Sequence, residues 1–364
     1  MRYRLRGREL TKPLADLDQR RWLFENVPID PTHAGWMRRR AWVRTIHGTA
    51  RIEGNTASDV EVEALLAGEG STKVSEKEAR EIIGTRDALT LADELAGRRV
   101  ALDEAVIREL HRRVLWNQSP LLTPGEYRRG ENRVEDAAGN PIFRPPPSGE
   151  VPELMREFAA WLVSATKKHA PPAVAALAHL EFVAIHPFND GNGRTARAIA
   201  RLILARHGYA LGGLVSLDAQ LDLDRSAYFA AIREAVGKDY VPGYDATPFA
   251  RYFVTSITRS ADYVLDRLRG LGEVMVEIRR SIADGSLPPA MIDGLAYAWV
   301  NRHVRAGDYI RLTGRSPQNT TRDLDAAVKG GWLRATGERR GRYYVLGPAL
   351  LKTPAQGEIV SPSL

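Results

Sequence analysis

Two apolar runs of helical period, residues 173–185 and 195–208, are separated by a short polar junction that carries two glycines, an aspartate and an arginine. No other feature restricts the fold as strongly. Gly191-Asn192-Gly193-Arg194-Thr195-Ala196 satisfies the loose glycine fingerprint of dinucleotide sites, but that fingerprint needs a β-strand ahead of it, and the preceding run repeats with helical period. A Walker-type phosphate loop needs a lysine after its last glycine, and Arg194 follows Gly193 instead. The junction therefore belongs between two helices. Pro171 and Pro172 suit the start of the first, and Gly208 suits the end of the second.

The junction also carries chemistry. With Gly191 and Gly193 flanking Asn192 at a helix start, successive backbone N–H groups can converge on one point, where the helix dipole is positive. Such a point takes an anion. Arg194 and Arg197 lie three apart on the first turn of the following helix, so both guanidinium groups can reach the same region with forks suited to phosphate oxygens. Asp190 precedes this cradle, and a carboxylate beside phosphates is the usual way to hold Mg²⁺. His186 has an ordinary pKa suited to general-base work near neutral pH. Together the parts describe transfer from a Mg²⁺-bound nucleoside triphosphate to a hydroxyl. Any one of these residues alone reads equally well as a capped helix junction with a basic turn.

The rest of the chain is mostly helical in pattern. Ser58 and Glu61 have capping-box spacing ahead of a short helix, and residues 102–115, 151–165, about 224–236 and about 248–278 repeat apolar positions with helical period. Residues 132–144 form two short runs around a Gly-Asn-Pro turn, which predicts a hairpin. A break at about residue 285 precedes a helix, a short helix and turn, a third helix capped by Ser316, and two alternating runs in 332–347, the order of a winged-helix module. The expected division is a helical region at 1–100, a core at 101–284, a winged helix-turn-helix at 285–350 and a tail at 351–364.

The junction resembles the signature of the Fic (Fic/DOC) family, H-x-F-x-[D/E]-G-N-G-R-x-x-R, and meets it at every defined position from His186 to Arg197. The likeness extends over roughly residues 45–260, including the Gly-Glu-Tyr-Arg run at 125–128. It implies a helical core with a β-hairpin flap, and an enzyme that transfers AMP from ATP to a Ser, Thr or Tyr hydroxyl of a target protein or of itself. On that resemblance His186 is the base, Phe188 a core anchor, and Asp190 the ligand of Mg²⁺. Asn189, Asp190, Gly191, Asn192, Gly193 and Arg194 belong to the nucleotide site, and Arg197 holds the γ-phosphate. Residues 132–144 correspond to a flap that docks the target backbone by strand addition. Tyr228 is a candidate wall for adenine or ribose, with a core tyrosine on a helix face as the competing reading.

A second run, Thr49-Ala50-Arg51-Ile52-Glu53-Gly54, fits the family's inhibitory pattern [S/T]-x-x-x-E-[G/N]. A Glu53 carboxylate paired with Arg197 would compete with the γ-phosphate for one guanidinium, leaving ATP misaligned. In some relatives this glutamate also positions water, so removal of AMP stays open. The other histidines form no metal-ligand spacing.

Charge separates the ends from the middle. The net +7 divides into +6 over residues 1–50, −5 over 51–300 and +6 over 301–350. Arg311, Arg315, Arg322, Arg334, Arg339, Arg340 and Arg342 fit phosphate contacts to a DNA duplex, with Gln318 and Asn319 near base edges. A nucleotide-responsive DNA-binding regulator is therefore the alternative function, and protein docking or a homodimer competes for the same module. The absence of cysteine excludes disulfides and thiolate sites. No apolar stretch is long enough to span a membrane and no apolar signal core follows the first residues, so the chain reads as cytoplasmic.

Overall fold

The computed structural model describes residues 3–69, 74–118, 122–135, 139–337 and 342–351. In chain order the helices are α1 (Gly7–Asn26), α2 (Pro31–Ile52), α3 (Asp59–Leu66), α4 (Glu76–Arg98), α5 (Glu104–Val114), α6 (Val151–Ala165), α7 (Pro171–Ile185), α8 (Asn192–Arg206), α9 (Leu217–Leu223), α10 (Arg225–Val236) and α11 (Thr247–Ala283). Strands β1 (Val134–Glu135) and β2 (Pro141–Phe143) lie between α5 and α6 as an antiparallel pair, with Val134 opposite Phe143. They are the expected hairpin; part of its turn lies outside the described residues.

Capping chemistry places the helix starts. Ser58 and Glu61 form the expected reciprocal capping box on α3, and Ser75 with Glu78 forms another on α4. Helix α7 is buried almost all round, from Pro172 to Ile185 apart from Val183, which explains why it is apolar on every face. It lies at the centre of the core: α6 and α8 pack on it, and α4 and α5 pack on α8 and on each other.

The chain divides into two compact units, residues 1–27 with 41–261 and residues 28–40 with 262–364. The boundaries expected from the sequence are at 100 and 284. Residues 41–100 belong with the core because α4 buries Ile82, Ala88, Leu89, Ala92 and Ala96. Gly84 brings α4 so close to α5 that a Cβ would stand 2.5 Å from the Val114 carbonyl oxygen. Asp93 also takes Arg201 of α8 in a two-point salt bridge, at 2.8 and 2.7 Å. The break near residue 285 follows the end of α11.

In the second unit α12 (Ile292–Asn301), β3 (His303–Val304), α13 (Ala306–Thr313) and α14 (Pro317–Lys329) precede β4 (Leu333–Thr336) and β5 (Tyr343–Leu346). The strands form an antiparallel sheet in the order β3-β5-β4. Helix, helix and hairpin follow in the expected order, and β3 is an addition that a two-residue run could not announce. Ser316 caps α14 through the Asn319 N–H, with Pro317 at its first position. Among the described residues no helix is long and apolar enough to cross a membrane.

Candidate active site

His186 ends α7 in the left-handed conformation (φ 50°, ψ 58°), its N–H donating to the Phe182 carbonyl. Its Nδ1 lies 3.3 Å from the Val183 carbonyl oxygen. A carbonyl only accepts, so Nδ1 carries the proton and Nε2 keeps its lone pair. Burial pushes the imidazole pKa down to about 4; the Val183 contact and the charges of Glu53 and Asp190 oppose the shift, and the charge of Arg128 adds to it.

The turn after His186 is built from side-chain-to-backbone bonds. Asn192 accepts from the Phe188 N–H at 3.0 Å and donates to the Phe188 carbonyl at 2.9 Å. The Asn192 side chain is 2% exposed and holds the loop shut, which leaves its backbone N–H for an anion. Phe188 is buried, as a core anchor should be, and stacks on His111 with ring centroids 3.6 Å apart. His111 is not the unremarkable residue its spacing suggests. The Gly125 N–H donates to its Nδ1 at 2.8 Å, so Nε2 carries the proton and donates to the Asp190 carbonyl at 2.9 Å.

Gly191 caps α8 with φ 74°, a conformation that favours glycine, and a Cβ there would press on Val114 at 3.2 Å. The Asp190 carboxylate accepts from the Gly191 N–H at 2.6 Å and is 47% exposed in its side chain. Arg194 lies 3.5 Å from it, with a side chain 5% exposed. The Nε and Nη1 of Arg194 are buried with no hydrogen-bond partner among the described residues, as expected of donors that await an oxyanion. Asn189 is exposed at the rim, its amide 3.4 Å from the Thr123 hydroxyl.

Glu53 occupies this cradle. A Cβ on Gly193 would stand 2.5 Å from Glu53 Oε1, so the carboxylate fills the space above the first turn of α8. Its oxygen stands in for an anionic ligand oxygen. Arg197 donates to it from Nη2 at 2.6 Å, donates to the Thr49 hydroxyl and carbonyl, and lies 3.4 Å from Asp218. Burial pulls the Glu53 pKa upward, and the charges of Arg197 and Arg194 with the Arg197 hydrogen bond outweigh it, so the carboxylate stays ionised. A third of the Glu53 side chain still meets solvent, whereas Arg197 is 2% exposed.

The seating of Glu53 depends on a close approach. A Cβ on Gly48 would lie 2.7 Å from the Ala219 Cα, so α2 meets the start of α9 backbone to backbone. The Thr45 hydroxyl, one turn earlier, donates to the Ser216 hydroxyl at 2.9 Å, and Ser216 caps α9. Gly48, Asp218, His111 and Arg128 had no part in the sequence reading of the site, because each acts through a partner distant in sequence.

Tyr228 takes the competing reading. It is 1% exposed and its hydroxyl meets His179 Nε2 at 2.7 Å, so its ring offers no open face to a base or ribose. Among the described residues no group of three or more acidic or histidine side chains could hold a metal. A single half-exposed carboxylate, Asp190, still fits Mg²⁺, which commonly binds one protein carboxylate together with substrate phosphates.

Residues 101–204 match the model of the Fic/DOC family. Among curated proteins, the chain is 30% identical over 278 residues to "Protein adenylyltransferase Fic" of Drosophila mojavensis, covering 75% of this chain and 51% of that one. The chain thus spans about half the length of that relative. Among solved structures, a fragment of Fic-1 from C. elegans aligns with a TM-score of 0.59 at 29% identity, covering 71% of this chain and 72% of that one. A Fic family protein from Desulfovibrio desulfuricans G20 covers 93% of this chain and 96% of its own at a TM-score of 0.56 and 20% identity, which supports the fold.

Proposed function

The chain carries a Fic/DOC domain over residues 101–204, and from that premise we propose that it is an autoinhibited protein adenylyltransferase that moves AMP from ATP to a hydroxyl of a target protein. One observation carries the reading: the phosphate cradle already holds an anion, the Glu53 carboxylate, beside a histidine whose free nitrogen is a base.

His186 Nε2 takes the proton of the target hydroxyl, whose oxygen attacks the α-phosphorus as the bond to the β-phosphate breaks and pyrophosphate leaves. A base with a pKa of about 4 is weak, and the negative charge of a bound triphosphate raises it toward a useful value. The backbone N–H groups of Asn192 and Gly193 and the unsatisfied donors of Arg194 bind phosphate oxygens. Arg197 takes the γ-phosphate once Glu53 leaves it. Asp190 holds Mg²⁺, which when bound offsets charge on the leaving pyrophosphate. The β1–β2 hairpin docks the target by strand addition. A cytoplasmic location accords with a cysteine-free chain.

Replacing Glu53 with Gly is expected to raise transfer from ATP labelled on the α-phosphate by roughly 10²-fold or more, the scale of a positioning effect. Adding His186→Ala abolishes it. If the Glu53→Gly chain labels neither itself nor any lysate protein, the proposal fails.

The DNA-binding alternative finds less support in the second unit than its charge suggests. Arg315 is held by Asp323 at 2.8 and 2.9 Å, Arg311 by Asp308, and Arg342 lies 3.9 Å from Asp325. Arg339 and Arg340 lie outside the described residues. The relatives named above carry adenylyltransferase or Fic names, none of which favours a DNA-binding regulator.

A further inference from the structure

Arg128 is 2% exposed. A guanidinium buried that far is ordinarily neutralised by a carboxylate hydrogen-bonded to it. The hydrogen bonds of Arg128 among the described residues go instead to main-chain carbonyls. Nε donates to His186 at 2.9 Å, Nη1 to Gly130 at 3.2 Å and Nη2 to Pro146. Its backbone N–H donates to the Pro187 carbonyl at 2.9 Å. These donors end on three segments: the catalytic turn, the chain entering the β1–β2 hairpin, and the chain leaving it.

Beside Arg128, Tyr127 meets Phe188 with ring centroids 5.4 Å apart; other hydrogen bonds at the hairpin neck stay local or run elsewhere. The Ser148 hydroxyl donates to the Arg129 carbonyl at 3.1 Å, and Arg144 exchanges backbone bonds with Lys238 and Tyr240 at 2.8 and 2.9 Å. They close the neck and fix it to residues 238–240, whereas Arg128 carries it to the catalytic turn.

We propose that Arg128 is a positioning residue that makes the hairpin neck and the His186–Pro187 turn one mechanical piece, so that an acceptor docked on the hairpin meets the histidine at a fixed spacing. This rests on the adenylyltransferase reading and on the hairpin as the docking strand. A displacement of about 1 Å between acceptor and base is enough to cost roughly 10²-fold in rate. ATP is held at the start of α8 by groups that Arg128 does not touch, so its loss falls on transfer and not on nucleotide affinity.

The test uses the full chain in the Glu53→Gly background with Arg128→Lys, Arg128→Gln and, as a control on the neck alone, Ser148→Ala. Three quantities are measured: amide hydrogen exchange across residues 128–135, 141–148 and 183–191, the Kd of an ATP analogue that cannot be cleaved between the α- and β-phosphates, and label transfer from α-labelled ATP. Both Arg128 variants are expected to loosen the neck and the catalytic turn together while α4 keeps its protection. Transfer then falls roughly 10²-fold while the analogue binds within about threefold of the parent, a split that general loss of structure would not give. Ser148→Ala loosens the neck alone. The proposal is overturned if the neck opens while residues 183–191 stay protected, or if analogue affinity falls as far as transfer. If the Glu53→Gly parent transfers nothing, the adenylyltransferase reading fails while exchange still decides the coupling. If both Arg128 variants unfold, exchange in the unsubstituted chain decides, because neck and turn must then open with the same free energy across a denaturant series.

Discussion

At the scale of single residues, the site works by deciding where protons sit and which donors are already taken. Burial holds His186 neutral, with a pKa of about 4 against an ordinary 6.5. The charges of Glu53 and Asp190 raise it and that of Arg128 lowers it, so replacing Glu53 with Gly moves it further down. Because kcat/KM reports the free enzyme's groups, the value for ATP in the Glu53→Gly chain is expected to stay level as pH falls from about 8 to about 6 and to drop only in more acid solution. An inflection at the ordinary histidine pKa would show that His186 is solvated or not the base. His186, Asp190, Arg194 and Arg197 were legible in the sequence because their spacing alone puts them around one helix start. For Asn192, spacing locates a backbone N–H but not the direction of the side chain, which turns back to Phe188. His111 was passed over because its partners, the Gly125 N–H and the Asp190 carbonyl, are backbone groups that no side-chain pattern reveals.

At the scale of elements, the seating of Glu53 is a matter of how α2 lies on α9. Gly48 allows a backbone contact that any side chain would block, since a Cβ would stand 2.7 Å from Ala219. Gly48→Ala is expected to push the end of α2 away and withdraw Glu53 from Gly193, raising label transfer several-fold while costing about 1–3 kcal/mol of stability as overpacking does. Combined with Glu53→Gly it should add nothing, because both changes release the same contact. Unchanged transfer in Gly48→Ala, measured beside its melting temperature, would separate α2 placement from inhibition. The helices themselves were readable from period and caps: α3 carries its expected capping box and α14 its Ser316 cap. What could not be read was which helices touch. The pairing of α2 with α9 joins residues about 170 apart, and no local rule constrains it.

For the molecule as a whole, charge and buried histidines set the conditions under which it holds together. His111 and His179 are both fully buried, with pKa values lowered by burial to about 4 and about 3. In the unfolded chain each titrates near 6.5, so below that pH the unfolded state binds more protons. Stability is therefore full above about pH 6.5 and lost as the pH falls toward the folded values. The loss is on the order of 2–3 kcal/mol for each histidine by pH 4.5, to be read from thermal melts at pH 7 and pH 4.5; a flat melting temperature over that range would contradict their burial as neutral groups. The basic excess lies at the two ends of the chain, and the net acidic middle holds the proposed phosphate site, with its local arginines and backbone N–H groups. In the proposed reaction AMP is the group that moves. The most direct measurement incubates the Glu53→Gly chain and acceptor protein with ATP labelled on the α-phosphate in one sample and on the γ-phosphate in another. AMP transfer gives protein-bound label from the α-phosphate alone, absent when His186→Ala is added; label from the γ-phosphate, or α-label that survives loss of His186, overturns it.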